Sequence, residues 1–277
     1  FFPSYVDHHG LLTVAILGMA LGATFMGAGW WQRRNEEVLG MLPASAEDAR
    51  RSAIISGLSG ALGMWVSAAS VIPPIAIAGA AGLIALVFRG RAARSAGLAF
   101  DPGVWRIWGR VGGAASFLFY LVEYFPSHLG FRLEANHPFY SLAWCAGGEL
   151  IALIGEALLR DDRKITFDWR RAALPFAGLA CAPLTILLGG TRVFVVSDPF
   201  LAELHRAYIQ EFLPLWITIR GMGWRGFFNV VGMENLPLLA GLMALAIQRR
   251  RLPIILWFAV IACIAATGMA WLQSRWL

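Results

Sequence analysis

The sequence is short of charge. Only 14% of its 277 residues are Asp, Glu, Lys or Arg, against about a quarter in soluble domains. A chain so poor in charge, with 58% hydrophobic residues and a mean hydropathy of +0.63, cannot dress the surface of a water-soluble domain of this length. Cysteine is scarce as well. Cys145, Cys181 and Cys263 all fall in apolar stretches, where small buried side chains are common, so a disulfide framework is excluded. A repeat of fixed period and a low-complexity tract are both lacking, which argues against a solenoid or an extended linker.

Long apolar runs are what the sequence does have. A membrane-spanning helix needs roughly 20 mostly apolar residues, because lipid offers the backbone no hydrogen-bond partner. Residues 11–31 form the first such run. Residues 53–88 are too long for one span, and Pro73-Pro74 with the small residues before them divide that block into two short helices. Residues 104–125, 139–159, 172–189, 236–247 and 253–272 complete the set. The expected fold class is therefore all-α, a polytopic transmembrane helix bundle of about eight membrane spans forming a single transmembrane domain over 1–277. Its long external loop covers 190–233.

The basic residues orient the spans. Arg33, Arg34, Arg50, Arg51, Arg89, Arg91, Arg94, Arg106, Arg110, Arg160, Arg163, Lys164, Arg170, Arg171 and Arg249 to Arg251 fall on one side if the first span runs inward. By the positive-inside rule that side is cytoplasmic. Basic loops facing an anionic leaflet account for the net charge of +6 without any nucleic-acid partner. The expected location is a bacterial inner membrane, multi-pass, with the active face periplasmic.

That topology collects the unusual polar residues on the external face. Asp7-His8-His9 precedes the first span, and Asp7 and His9, two residues apart in extended chain, project to one side and can share a divalent cation. Mixed carboxylate and imidazole ligands suit Mn²⁺ or Zn²⁺, and Mg²⁺ fits if carboxylates and waters dominate. Asp7 can equally serve as the N-cap of the span. Glu134 and His137 lie between the fourth and fifth spans, and Glu203 and Glu211 lie in the long loop. Leu204, Tyr208, Phe212 and Leu215 have helical spacing, so the two loop carboxylates can also be the wet face of an interfacial helix. Glu149 and Glu156 share one face of the fifth span. A charge inside a span usually marks a cavity or a bundle interior, although Glu156 also has Arg160 one turn away.

The order of these elements resembles the catalytic subunits of oligosaccharyltransferases and related GT-C membrane glycosyltransferases. Asp7-His8-His9 is similar to the acidic motif that precedes a span in that family. Tyr208-Ile209-Gln210-Glu211, with Pro214 following, resembles its external-loop Thr-Ile-x-Glu motif, with Tyr at the first position. Gln273-Ser274-Arg275 stands where the family places an arginine against the donor pyrophosphate. The resemblance implies a GT-C-like fold and a metal-dependent glycosyltransferase. It would move a sugar from a polyprenyl-(di)phosphate-linked donor to an external protein, lipid or glycan acceptor. It further implies Asp7 and Glu211 as catalytic residues, Asp7, His9 and Glu211 as metal ligands, and Arg275 as the donor-binding cation. His8, Glu149, Glu134 and His137 are secondary candidates. The family's first acidic motif and its soluble C-terminal domain have no counterpart, so the chain reads as a piece of a longer protein, inactive alone. A membrane transporter or flippase, with Glu149 on the substrate path, is the alternative.

Overall fold

The computed structural model describes residues 9–32, 42–126, 135–159, 168–190 and 254–272, with isolated positions at 133, 220, 221, 223 and 243. The expected span at 236–247 and the amphipathic stretch of the long loop lie outside the described residues, Met243 alone excepted. The rest is a bundle of helices with one very small sheet.

Helix α1 spans His9–Phe25 and ends in a tight turn at Gly27–Gly29. Gly27 and Gly29 have φ of 63° and 86° on either side of Ala28, a left-handed run that glycine adopts without strain. The chain leaves this turn as strand β1, Trp30–Gln32, which pairs antiparallel with β2, Leu98–Phe100. This ribbon is the one departure from an all-α reading among the described residues.

Between the two strands runs α2, Ala46–Ser95, which starts on a Ser45 cap whose side chain accepts from the Asp48 N–H. It is two helices and not one. Ser67 is extended (φ −158°, ψ 93°) and its hydroxyl donates to Ser70 Oγ at 2.9 Å, so a fresh helix starts at residue 68. A Cβ built on Gly63 would come 2.9 Å from Val71 Cγ2, whereas eight residues of straight helix are about 12 Å long. The chain therefore folds back on itself. The first limb, 46–66, and the second, 68–95, form a helical hairpin. The division expected at Pro73-Pro74 occurs six residues earlier, at the extended Ser67, and the prolines fit inside the first two turns of the new helix. Two limbs of about 30 and 40 Å are each of membrane-spanning length.

Helix α3, Pro102–Tyr124, begins with Asp101 as N-cap and Pro102 at its first position. Helices α4, Pro138–Leu158, and α5, Trp169–Gly189, begin on His137 and Asp168 caps. Helix α6, Ile254–Leu272, packs against α1 and the second limb of α2. By length and composition Gly10–Gly29, α2, α4 and α5 can cross a membrane. The apolar faces of α5, with Leu174, Leu187 and Leu188 largely exposed, suit a lipid environment.

Close backbone approach holds the centre together. A Cβ on Gly109 of α3 would sit 2.9 Å from the Trp144 carbonyl oxygen of α4, so the two helices meet over bare backbone, the small-residue packing that drives association in lipid. Around this crossing three indoles interlock. Trp105 and Trp108 meet edge-on at 5.5 Å, and Trp108 and Trp144 at 5.3 Å. Trp105 donates to the Ala28 carbonyl, and Trp108 donates to Ser56 Oγ, which in turn donates to the Met19 carbonyl. These bonds tie α1, α2 and α3 through groups that would otherwise be stranded in an apolar interior.

The pairings define two ends. Arg50 meets Asp101 at 2.8 Å, the Asp101 N–H donates to the Gly29 carbonyl, and Arg94 donates to the Leu159 carbonyl. The ribbon and all of these contacts lie at one end, called here the basic end. Gly22 and Gly18 of α1 face Ser56 and Ser59 of the first limb, an antiparallel match, which puts His9 at the opposite end. The start of α4 and the finish of α3 share that opposite end, since a Cβ on Gly113 would lie 2.6 Å from the Ser141 carbonyl.

Candidate functional site

At the end that holds His9, α3 and α4 are joined by polar groups. Ser116 Oγ donates to Asn136 Oδ1 at 2.9 Å, and Asn136 Nδ2 returns a bond to the Ser116 carbonyl at 2.8 Å. Both residues are buried. His137 follows as the N-cap of α4. Its Nδ1 accepts from the Phe139 N–H at 3.2 Å, and its ring lies edge-on to Tyr120 and Phe139. That bond requires the neutral imidazole, and burial pushes the His137 pKa below its ordinary value. Tyr140, one turn on, donates to the Leu133 carbonyl.

Below Tyr140 opens a groove of about 380 Å³ between the second limb of α2, α4 and α5. Its walls are Ile72, Ile75 and Leu83 from α2, Trp144 and Ile151 from α4, and Leu179 from α5, among others. The groove has this shape because small residues stand where large ones would fill it: Gly79 and Ala76 on one wall, Ala143 and Gly147 on the other. A Cβ on Gly79 would have nothing closer than Ile151 Cδ1 at 3.7 Å. Almost nothing polar faces the space, so it selects for hydrocarbon.

The opposite face of α4 carries the charges. Arg106 of α3 donates from Nε to Glu149 at 2.9 Å and from Nη1 to Glu156 at 2.7 Å, and Arg110 donates to the second Glu149 oxygen at 3.2 Å. Two guanidinium groups and two carboxylates balance, and the arrangement clamps α3 to α4 beside the glycine crossing. Glu149 sits in this network, and Glu156 pairs across the helices with Arg106, while Arg160 lies outside the described residues. Arg106 and Arg110, counted from the sequence as loop cations, are inside α3. The signal was available: Arg106 and Arg110 are four apart, Glu149 and Glu156 seven apart, so each pair lines one face.

The expected catalytic and metal-binding residues fare unevenly. Asp7, His8, Glu134, Glu211 and Arg275 lie outside the described residues. His9 is the first residue of α1, at the same end as His137. Among the described residues no three His, Cys, Asp or Glu side chains converge to hold a metal. The groove and the Asn136–Ser116 anchor were not legible beforehand, because the residues that shape them are scattered Ala, Gly and Ser.

Comparison with protein-family models, with curated proteins and with solved structures finds no match. Class and role rest on the geometry and on the sequence motifs.

Proposed function

We propose that this protein is a membrane-embedded glycosyltransferase that takes its sugar from a polyprenyl-(di)phosphate donor, with the donor's hydrocarbon chain in the groove between α2, α4 and α5. The observation that supports this reading is the groove itself: apolar, flanked by helices of membrane-spanning length, with its upper wall at Tyr140, one turn below His137. A lipid-linked substrate lying there would hold its phosphate at the end where Asp7-His8-His9 enters α1. Asp7, His9 and Glu211 are the proposed ligands of a divalent cation, Mn²⁺ or Mg²⁺. Such an ion and Arg275 would offset charge on the departing diphosphate. Asp7 or Glu211 would orient the acceptor, a protein or glycan. The active face is external and the membrane a bacterial inner membrane.

Sugar transfer from a polyprenyl-linked donor, followed in reconstituted membranes with and without divalent cation, tests this. Asp7→Ala and Glu211→Ala are expected to abolish transfer. Wild-type rates in either variant would remove the assignment. Gly79→Leu, which has room for its side chain but fills the groove, is expected to weaken the donor without touching the motif residues.

A further inference from the structure

The groove between α2, α4 and α5 is closed at its inner end. The second limb of α2 and helix α4 run side by side in the same direction: a Cβ on Gly79 would meet Ile151 Cδ1 at 3.7 Å, and one on Gly90 would meet Leu159 Cδ2 at 3.5 Å. Ile72 and Tyr140 line the groove nearest the end that holds His9, and Leu83 and Ile154 line it deepest among the described residues. One turn further in, the space is filled. A Cβ on Gly155 would lie 2.6 Å from Phe100 Cζ and 3.3 Å from Leu86 Cδ2, so the Phe100 ring rests on bare backbone of α4. Leu86 is buried, and Trp30 backs the Phe100 ring with 5.2 Å between ring centres. Trp30 and Phe100 are register partners in the β1–β2 pair, so the small ribbon is what carries the ring to this place.

Two measures of the space agree. Ile72 to Leu83 is about 16 Å of helix. One isoprene unit, four carbon–carbon bonds, extends about 5 Å, since three backbone bonds extend about 3.8 Å, so about three units fit end to end. An apolar cavity of about 150 Å³ takes one benzene. At that density the 380 Å³ of the groove takes about fifteen carbons, again three units. A tail recognised by burial alone gains affinity with each unit buried, and here the gain stops at a ring.

We propose that Phe100, with Leu86 beside it, is the floor that sets how much of the donor chain the protein reads. The three isoprene units nearest the phosphate lie in the groove, and the chain beyond them turns out into the bilayer. This rests on the groove as the donor's site.

The test uses the full chain in neutral detergent. Prenyl diphosphates of five, ten, fifteen and twenty carbons compete against a photoreactive polyprenyl diphosphate. Each length is compared between variants, which cancels its partition into detergent. Phe100→Ala removes the floor and is expected to bind the twenty-carbon competitor about ten-fold or more tightly than the wild-type chain does, with the ten-carbon competitor unchanged. Ile154→Phe raises the floor and is expected to weaken the fifteen- and twenty-carbon competitors about ten-fold or more, with the five-carbon one unchanged. Ile154 is a half-buried wall residue, so this variant keeps the test decisive if Phe100→Ala does not fold. Shifts equal at every length, or absent at every length, overturn the floor and leave the groove as the donor site. Failure of every length to compete in the wild-type chain overturns the donor reading itself, and the floor with it.

Discussion

The two faces of α4 meet opposite demands. Toward α2 and α5 the helix shows Tyr140, Ala143, Gly147, Ile151 and Ile154 and leaves a space. Toward α3 it shows Glu149 and Glu156, and both carboxylates are met by a guanidinium. Small residues occur on both faces with different results. Gly148 and Gly109 let two backbones touch, whereas Gly147 and Gly79 face open volume. Small side chains therefore do not define a function by themselves. What lies opposite decides whether they close a contact or open a groove.

The largest expected effect breaks the closed face. Gly148→Leu would drive a side chain into the Trp105 carbonyl, where a Cβ alone would lie 2.5 Å away. Overpacking typically costs about 1–3 kcal/mol, and with backbone as the obstacle the upper end is expected. Loss of folded protein in a detergent thermal-melt assay checks it, with Gly147→Leu on the other face expected to fold normally.

Next comes the ion network. Arg106→Met leaves Glu156 without its partner and Glu149 held by Arg110 alone, and because these side chains are only partly buried the loss is expected to be about 1–2 kcal/mol, below that of a fully buried pair. Replacing Arg106, Glu149 and Glu156 together by Met, Leu and Leu is expected to restore most of that stability, because no buried charge is then left over. A triple variant as unstable as the single one would mean that the cluster does more than clamp two helices.

How much of this could be read from the sequence follows from what each element depends on. Spans were legible because lipid imposes a length and a composition on each segment, and residues 104–125, 139–159 and 172–189 match α3, α4 and α5 within three residues at each end. The hairpin in α2 was legible as a division but misplaced. Proline is the louder signal, while the actual turn falls at the extended backbone of Ser67. The ribbon was not legible, since three-residue strands have no periodicity of their own. The Arg106–Glu149 pairing depends on which helices are neighbours, a fact of packing, although the spacing of the four charges hinted at it. Of the candidate site, His137 was singled out as a ligand candidate, and its capping role was not anticipated. A histidine before Pro-Phe-Tyr carries no sign that its own side chain will accept from the helix.

A smaller effect follows from that cap. His137 is held neutral by burial, with its pKa lowered from 6.5. Stability from this group is therefore fully present above about pH 6.5 and is lost as pH falls from there through the lowered folded value. Protonation also removes the acceptor at Nδ1. His137→Ala is expected to cost about 1 kcal/mol, as loss of an N-cap does, and to flatten the decline in melting temperature below pH 6.5. An unchanged pH profile in that variant would assign the decline elsewhere.

The measurement that bears most directly on the central claim is photolabelling in reconstituted bilayers. A polyprenyl diphosphate carrying a photoreactive group on its chain would be cross-linked, and the labelled peptides mapped. The account predicts labelling concentrated on the groove walls of α2, α4 and α5, competed by unlabelled polyprenyl phosphate and lost in Gly79→Leu. Labelling spread evenly over the exposed leucines of α5, and unaffected by competitor or variant, would contradict it.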